Sequence, residues 1–291
     1  MQHIGISFTQ NSFQIVLPAE GAPREVLHSK QIAFSEPTRN FRIFTESALN
    51  DIREGLAQFL AEFNVSSAYL NVSIPFNQAY TSWVFMPAAA DKNVKKKQVQ
   101  WTLKQQLPGE LSRYKISLLK EQPHTDTSVK ILVVALEKVL IRQFMAAVED
   151  LNVELNSLLI DSLALESFLQ TEENSGNVLQ LVKVAFPVIE NHFFENGQYM
   201  LTYLDNLALD DRPLKESVAE IVNGKNKEYQ QGREKESRQQ IKTIFYGDST
   251  LTGWLPEVAK KINTPIEQPA VSGKDTNTVH SLAIEALGCI I

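Results

Sequence analysis

Near the start of the chain two short apolar runs, residues 3–8 and 13–17, flank a polar knot, Thr9-Gln10-Asn11-Ser12. A turn of this kind can aim several backbone N–H groups at one point, which is how a loop without a formal charge cradles a phosphate. Other chemistry-bearing patterns fail on spacing. Ser272-Gly273-Lys274-Asp275 has a Gly-Lys pair, but no upstream glycine at phosphate-loop distance and no hydroxyl residue after the lysine. There is no nucleophile elbow and no dinucleotide-type glycine pattern. The five histidines, His3, His28, His124, His192 and His280, are scattered singly with no i, i+4 pair, so a metal site would have to arise by tertiary coincidence and none is expected. Asp161 precedes a helix, where capping of backbone N–H groups accounts for it. Cys289, the single cysteine, excludes an internal disulfide and reads as a small buried hydrophobe.

The elements that must position these residues are those of a globular protein of 291 residues, 43% hydrophobic, enough for one large core or two medium ones. A net charge of −6 argues against a general nucleic-acid binder. No apolar run approaches the ~18–20 residues of a membrane span, and the N-terminus lacks a secretory signal pattern, so a cytoplasmic location is expected.

Residues 3–8, 13–17 and 25–34 read as an antiparallel meander. A helix follows to 61, carrying Leu49, Ile52, Leu56, Phe59, Leu60 and Phe63, then a strand over Ala68–Ile74. A strand at 80–86 and a helix at 91–107 come next. A strand pair, 114–121 and 129–136, encloses the loop Gln122-Pro123-His124-Thr125-Asp126, and a helix over 137–151, a strand over 153–160 and a helix over 161–170 complete the first half. The run 172–177 is linker-like. After it the opening plan returns, with strands at 178–185, 188–195 and 198–205, a helix near 210–223, a strand at 241–246 and a helix at 250–262. One plan written twice predicts two related domains, 1–170 with an insert at 79–122 and 171–291, facing each other across a cleft.

Four stretches carry a family resemblance: Met86-Pro87 with the helix ending Gln105-Gln106-Leu107-Pro108; Val133-Val134-Ala135-Leu136-Glu137-Lys138; Asp161-Ser162-Leu163-Ala164-Leu165; and Ile244-Phe245-Tyr246-Gly247-Asp248 through Gly253 with Ala283-Ile284-Glu285-Ala286-Leu287. With the order of segments, they resemble the actin-like (ribonuclease H-like) α/β fold, in the branch of the type IV pilus assembly protein PilM and the cytoplasmic part of its type II secretion relative GspL.

The resemblance implies a nucleotide site in which each meander turn lies against the phosphates, glycine gives clearance, and a carboxylate orients metal-bound and attacking water. The active pattern would read roughly Gly-Ile-Asp-Ile-Gly-Ser, and this chain reads Gly5-Ile6-Ser7-Phe8-Thr9-Gln10. Ser7 stands for the aspartate, Thr9 for the glycine, and Gln14 where pilus-type members tend to carry lysine. In the second meander Lys183 and Ala185 stand for Asp and Gly, followed by Pro187. At the adenine side a double glycine becomes Gly247-Asp248. No cofactor and no hydrolysis are therefore expected. If ATP with Mg²⁺ does bind, the contacts would be Ser7, Thr9, Gln10, Asn11, Lys183 and Gly247. For Lys183, either its ammonium neutralises phosphate or its stem packs on the sheet while the ammonium reaches solvent.

Three surface features remain. Lys95-Lys96-Lys97 on the insert helix suits an acidic partner or lipid headgroup, hence peripheral membrane association, or is an ordinary solvated face. Residues 224–240 are polar and read as an exposed loop or frayed helix. Trp83, Phe85, Met86 and Trp101 read as the insert's mini-core or as an interface. The expected function is a non-catalytic scaffold that receives a peptide, by the resemblance the cytoplasmic tail of a bitopic inner-membrane protein of a pilus or secretion assembly. The alternative is a nucleotide-responsive switch, an ATPase or a kinase.

Overall fold

The computed structural model describes residues 1–38, 43–170, 178–185, 187–207, 214–231, 241–247, 255–262, 266–267, 272–273 and 283–290. The linker-like run 172–177, the polar run 232–240, Asp248, Gly253, Lys274, Asp275 and His280 lie outside the described residues.

The opening meander comprises β1 (Gln2–Phe8), β2 (Ser12–Ala19) and β3 (Ala22–Ala33), and helix α1 (Glu46–Glu62) leads from it to β4 (Ala68–Ile74), which pairs parallel to β1. Thr45 caps α1, its side chain accepting from the Ala48 N–H, and Leu49, Ile52, Leu56 and Phe59 turn one buried stripe toward the sheet. The same plan recurs in β9 (Val178–Ala185), β10 (Val188–Glu195), β11 (Gln198–Asn206), α5 (Leu214–Gln231) and β12 (Ile241–Gly247), with β12 parallel to β9. With β8 (Val153–Ile160), β13 (Ile266–Glu267) and β14 (Ser272–Gly273), the two sheets run β14-β3-β2-β1-β4-β8 and β11-β10-β9-β12-β13. The shared order meander, then parallel neighbour, is the duplication legible in the sequence.

A third sheet, β5-β7-β6, is built from β5 (Tyr80–Pro87), β6 (Tyr114–Thr125) and β7 (Ser128–Glu137), and α2 (Lys92–Gln106) packs Val99 and Leu103 against it. The expected loop at 122–126 is mostly strand: β6 runs on to Thr125, which pairs with Ser128, and register shifts absorb Pro123. The helix expected over 137–151 is the shorter α3 (Lys138–Ala147), and within the one expected at 250–262 the described part is α6 (Leu255–Lys261). Conversely, α5 runs to Gln231, through the first part of the segment read as loop or frayed helix, because Val222 and Tyr229 continue its buried stripe. Of the four residues read as mini-core or interface, Met86 is in the insert's core, while Phe85 and Trp101 are 53% and 57% exposed. Trp83 reaches out of the insert, and its Nε1–H donates to the Met200 carbonyl at 2.7 Å.

Two short helices fill the layer between the large sheets: α4 (Asp161–Gln170) and α7 (Ala283–Gly288). They cross in direct contact, with Leu165, Phe168, Ala283, Ile284 and Leu287 joining Leu179 and Leu181 of one sheet to Val16 of the other in one core. Glycine permits this closeness. A Cβ on Gly288 would lie 1.9 Å from the Ala164 carbonyl oxygen, and one on Gly5 would lie 2.1 Å from that of Ala286. Gly288→Ala is expected to destabilise the protein by about 1–3 kcal/mol through forced backbone displacement, whereas Gly224→Ala, with open space around it on the exposed side of α5, should stabilise by about 0.4–1 kcal/mol. Urea unfolding of the two variants against the parent checks both signs.

Candidate functional site

The two meanders present equivalent positions to the α4–α7 layer. In the first, Ser7 pairs with Gln14 across β1 and β2. In the second, Lys183 pairs with Glu190 across β9 and β10. Strand alternation decides what each faces. Val182 and Val184 point away, into the core under α5. Leu179, Leu181 and Lys183 therefore share the opposite face, and so do their partners Phe194, His192 and Glu190 on β10.

Lys183 is fully buried. Its Nζ lies 2.8 Å from Glu285 Oε1 on α7 and 3.5 Å from Asp161 Oδ2 at the start of α4. Asp161 is held by two backbone donors, the Ser162 N–H to Oδ1 at 2.7 Å and the Phe76 N–H to Oδ2 at 3.1 Å. Capping is thus half of its role, and the other half is contact with Lys183 at the centre of the molecule. Glu190 and His192 adjoin, with His192 Nε2 3.4 Å from Glu190 Oε2 and Nδ1 2.9 Å from Thr202 Oγ1.

Burial without counter-charge would neutralise such groups. For Lys183 burial acts to lower the pKa, but Glu285, then Glu190 and Asp161, more than reverse it, and the ammonium is raised above its ordinary range. Burial acts to raise Glu190, yet Lys183 overrides it and holds the carboxyl down at about 2. Asp161 is pushed well above the carboxylate range by burial and then by the charge of Glu190. Burial likewise raises the Cys289 thiol, which marks it as inert.

Sequence alone leaves Lys183 two fates, phosphate contact or a solvated ammonium. The structure gives it a third, an interior ion pair. The polar knot is also tied to itself. The N–H groups of Asn11 and Ser12 both donate to Thr9 Oγ1, at 3.3 and 3.0 Å, and the Thr9 N–H donates to the Ser12 carbonyl at 2.8 Å. The Gln10 carbonyl accepts from the Thr38 N–H and hydroxyl, both at 2.8 Å. Ser7 is buried on β1, facing the α4–α7 layer. Gly247 ends β12 with φ +125°, where a Cβ would meet the Val184 carbonyl at 2.5 Å. Of the six candidate contacts, Thr9, Gln10 and Asn11 form the knot, while Lys183 belongs to the charged cluster. Glu190, His192 and Glu285 were missed. The available signal was a charged or polar residue inside an otherwise apolar strand or helix, as in Ala-Ile-Glu-Ala-Leu.

No protein-family model matches the sequence, and no curated protein does. Solved structures match along the whole chain. A chain of the PilM-PilN type IV pilus biogenesis complex superposes with TM-score 0.73 at 10% identity, over 100% of this chain and 97% of that one. The fold is the actin-like ATPase fold. The same actin-like arrangement extends to the cytoplasmic domain of EpsL, an inner-membrane component of the type II secretion system of Vibrio cholerae, with TM-score 0.52, 10% identity and coverage of 99% and 95%. It also extends to an inorganic polyphosphate/ATP-glucomannokinase from Arthrobacter sp. strain KM, with TM-score 0.53, 10% identity and coverage of 99% and 96%. Within this actin-like frame the ion cluster sits between the two halves, against the two meanders.

Removing the cation from such a cluster strands buried carboxylates. Lys183→Met should cost about 3–5 kcal/mol, and Lys183→Met combined with Glu285→Gln should recover part of that loss. A double-mutant cycle in urea unfolding measures the coupling.

Proposed function

We propose that this actin-like protein is a non-catalytic scaffold for a membrane-associated assembly of the pilus or secretion type. The observation that carries the first half of this reading is the Lys183–Glu285–Asp161 cluster, fully buried between the halves. The residues present do not fit a triphosphate with its cation. The ionised Glu190 would repel the phosphates, Lys183 is already engaged by carboxyl groups, and the knot's N–H groups at Asn11 and Ser12 serve Thr9. Phosphate binding would require breaking these pairs first, at a cost of several kcal/mol.

The second half is supported by the structural likeness to a chain of the PilM-PilN complex and to the EpsL cytoplasmic domain. No described helix is long and apolar enough to cross a membrane, so membrane attachment by this region would go through a partner or a surface contact. The surface offers a receptor of suitable size. A cleft of about 720 Å³ runs between the insert and the first sheet's helices, with Phe44, Tyr80, Leu107 and Leu140 among its apolar lining and Asn77 and Glu137 among its polar groups. The lining mixes these apolar side chains with Thr45, Asn77, Gln78, Gln106 and Glu137, which suits an extended peptide held by hydrogen bonds as well as by side-chain burial. The partner in this reading is the cytoplasmic tail of a bitopic inner-membrane protein.

Calorimetry with millimolar MgATP is expected to give no heat, and saturable binding of MgATP by the folded wild-type chain would overturn the scaffold reading. In pulldown from native membranes, the wild-type chain is expected to recover a bitopic component, and Leu140→Glu should reduce that recovery by at least about tenfold. Recovery of no such component by the wild type would refute the partner assignment.

A further inference from the structure

Lys183 makes its direct contacts on one side of the buried cluster. Its Nζ is 2.8 and 3.1 Å from the two oxygens of Glu285 and 3.5 Å from Asp161. On the other side, Glu190 Oε1, Glu190 Oε2 and His192 Nε2 make no hydrogen bond of ordinary geometry among the described residues, the long Glu190–His192 approach being their contact, although both side chains are fully buried. Orphaned buried polar atoms of this kind are rare and costly. One ligand atom each from Asp161, Glu190 and His192 lie within 4.8 Å of one another.

Distance indicates what would satisfy them. The 3.4 Å from His192 Nε2 to Glu190 Oε2 is long for an N–H···O bond, which favours roughly 2.7–3.2 Å. It matches the edge of a tetrahedron, because two ligand atoms ~2.1 Å from a tetrahedral ion lie about 3.4 Å apart. Lys183 Nζ lies against Glu285 and Asp161, which leaves the Glu190–His192 side of the cluster without a cation in contact. We propose that Asp161, Glu190 and His192 bind a structural divalent cation, Zn²⁺ by donor chemistry.

One imidazole nitrogen with two carboxylate oxygens suits Zn²⁺, with Mn²⁺ next. The outer partners are in place. Thr202 Oγ1 lies 2.9 Å from His192 Nδ1, which directs Nε2 toward the cluster when Nδ1–H donates to it, and Tyr199 OH donates to the same Thr202 oxygen at 3.1 Å. Backbone N–H groups orient the Asp161 carboxylate. Because the cluster is sealed from solvent, the ion is taken up as the chain folds, and it ties α4 of the first half to β10 of the second.

The test is to refold the untagged full chain from guanidinium with Co²⁺ or Zn²⁺, or with EDTA, followed by gel filtration and metal analysis. About one ion per chain is expected to be retained, with visible Co²⁺ d–d bands that Zn²⁺ abolishes and a Tm above that of the EDTA-refolded chain. His192→Gln and Glu190→Gln, which keep polar side chains, should lose the ion. No retention by the wild-type chain, equal retention by a folded His192→Gln variant, or a thiolate charge-transfer band reporting Cys289 as the ligand would overturn the proposal. Should neither variant fold, the wild-type retention, the d–d bands and the Tm difference still decide it.

Discussion

The structure depends on a lysine buried where two sheets meet. Lys183 draws charges from three separate elements, β9, α4 and α7, to one point between the halves. An unpaired ammonium there would be prohibitively costly, so the fold closes correctly only when α4 and α7 deliver Asp161 and Glu285 together. The cluster lies beside the apolar packing of Leu165, Leu179 and Leu287 that joins the same elements.

The glycines at the same layer act in the same direction. Gly5 lets α7 lie directly on β1, and Gly288 lets α7 cross α4 at backbone distance. A nucleotide cleft needs two halves that open and shut around a ligand. Here the space is spanned by two helices in contact, and the insert is tied across as well, through Trp83 to the Met200 carbonyl and through Lys120 to Glu166.

Much of the fold was legible in the chain itself. The alternation in β1, β2, β9 and β10 and the turns between them announced two meanders, and their recurrence announced the duplication. Boundaries failed where context outweighed local signals. Gln122 to Thr125 extend β6 because β7 offers a pairing partner, despite Pro123, and the polar run after Gly224 is partly helical because Val222 and Tyr229 anchor it. Trp101 and Phe85 looked like core by type, yet the insert's small interior is filled by Val84, Met86, Val99 and Leu103.

The site divides along the same line. By itself the sequence determined that the end of β1 and the turn after it read Ser7-Phe8-Thr9-Gln10 with no carboxylate, and that a lysine, Lys183, interrupts a largely apolar strand, because residue identity at a strand position is a local fact. Only the tertiary structure decided what Lys183 does, and with it the company of Glu190, His192 and Glu285. Those partners are up to 102 positions away in the chain, and neither strand alternation nor helical period carries information about which distant charge will share a buried face.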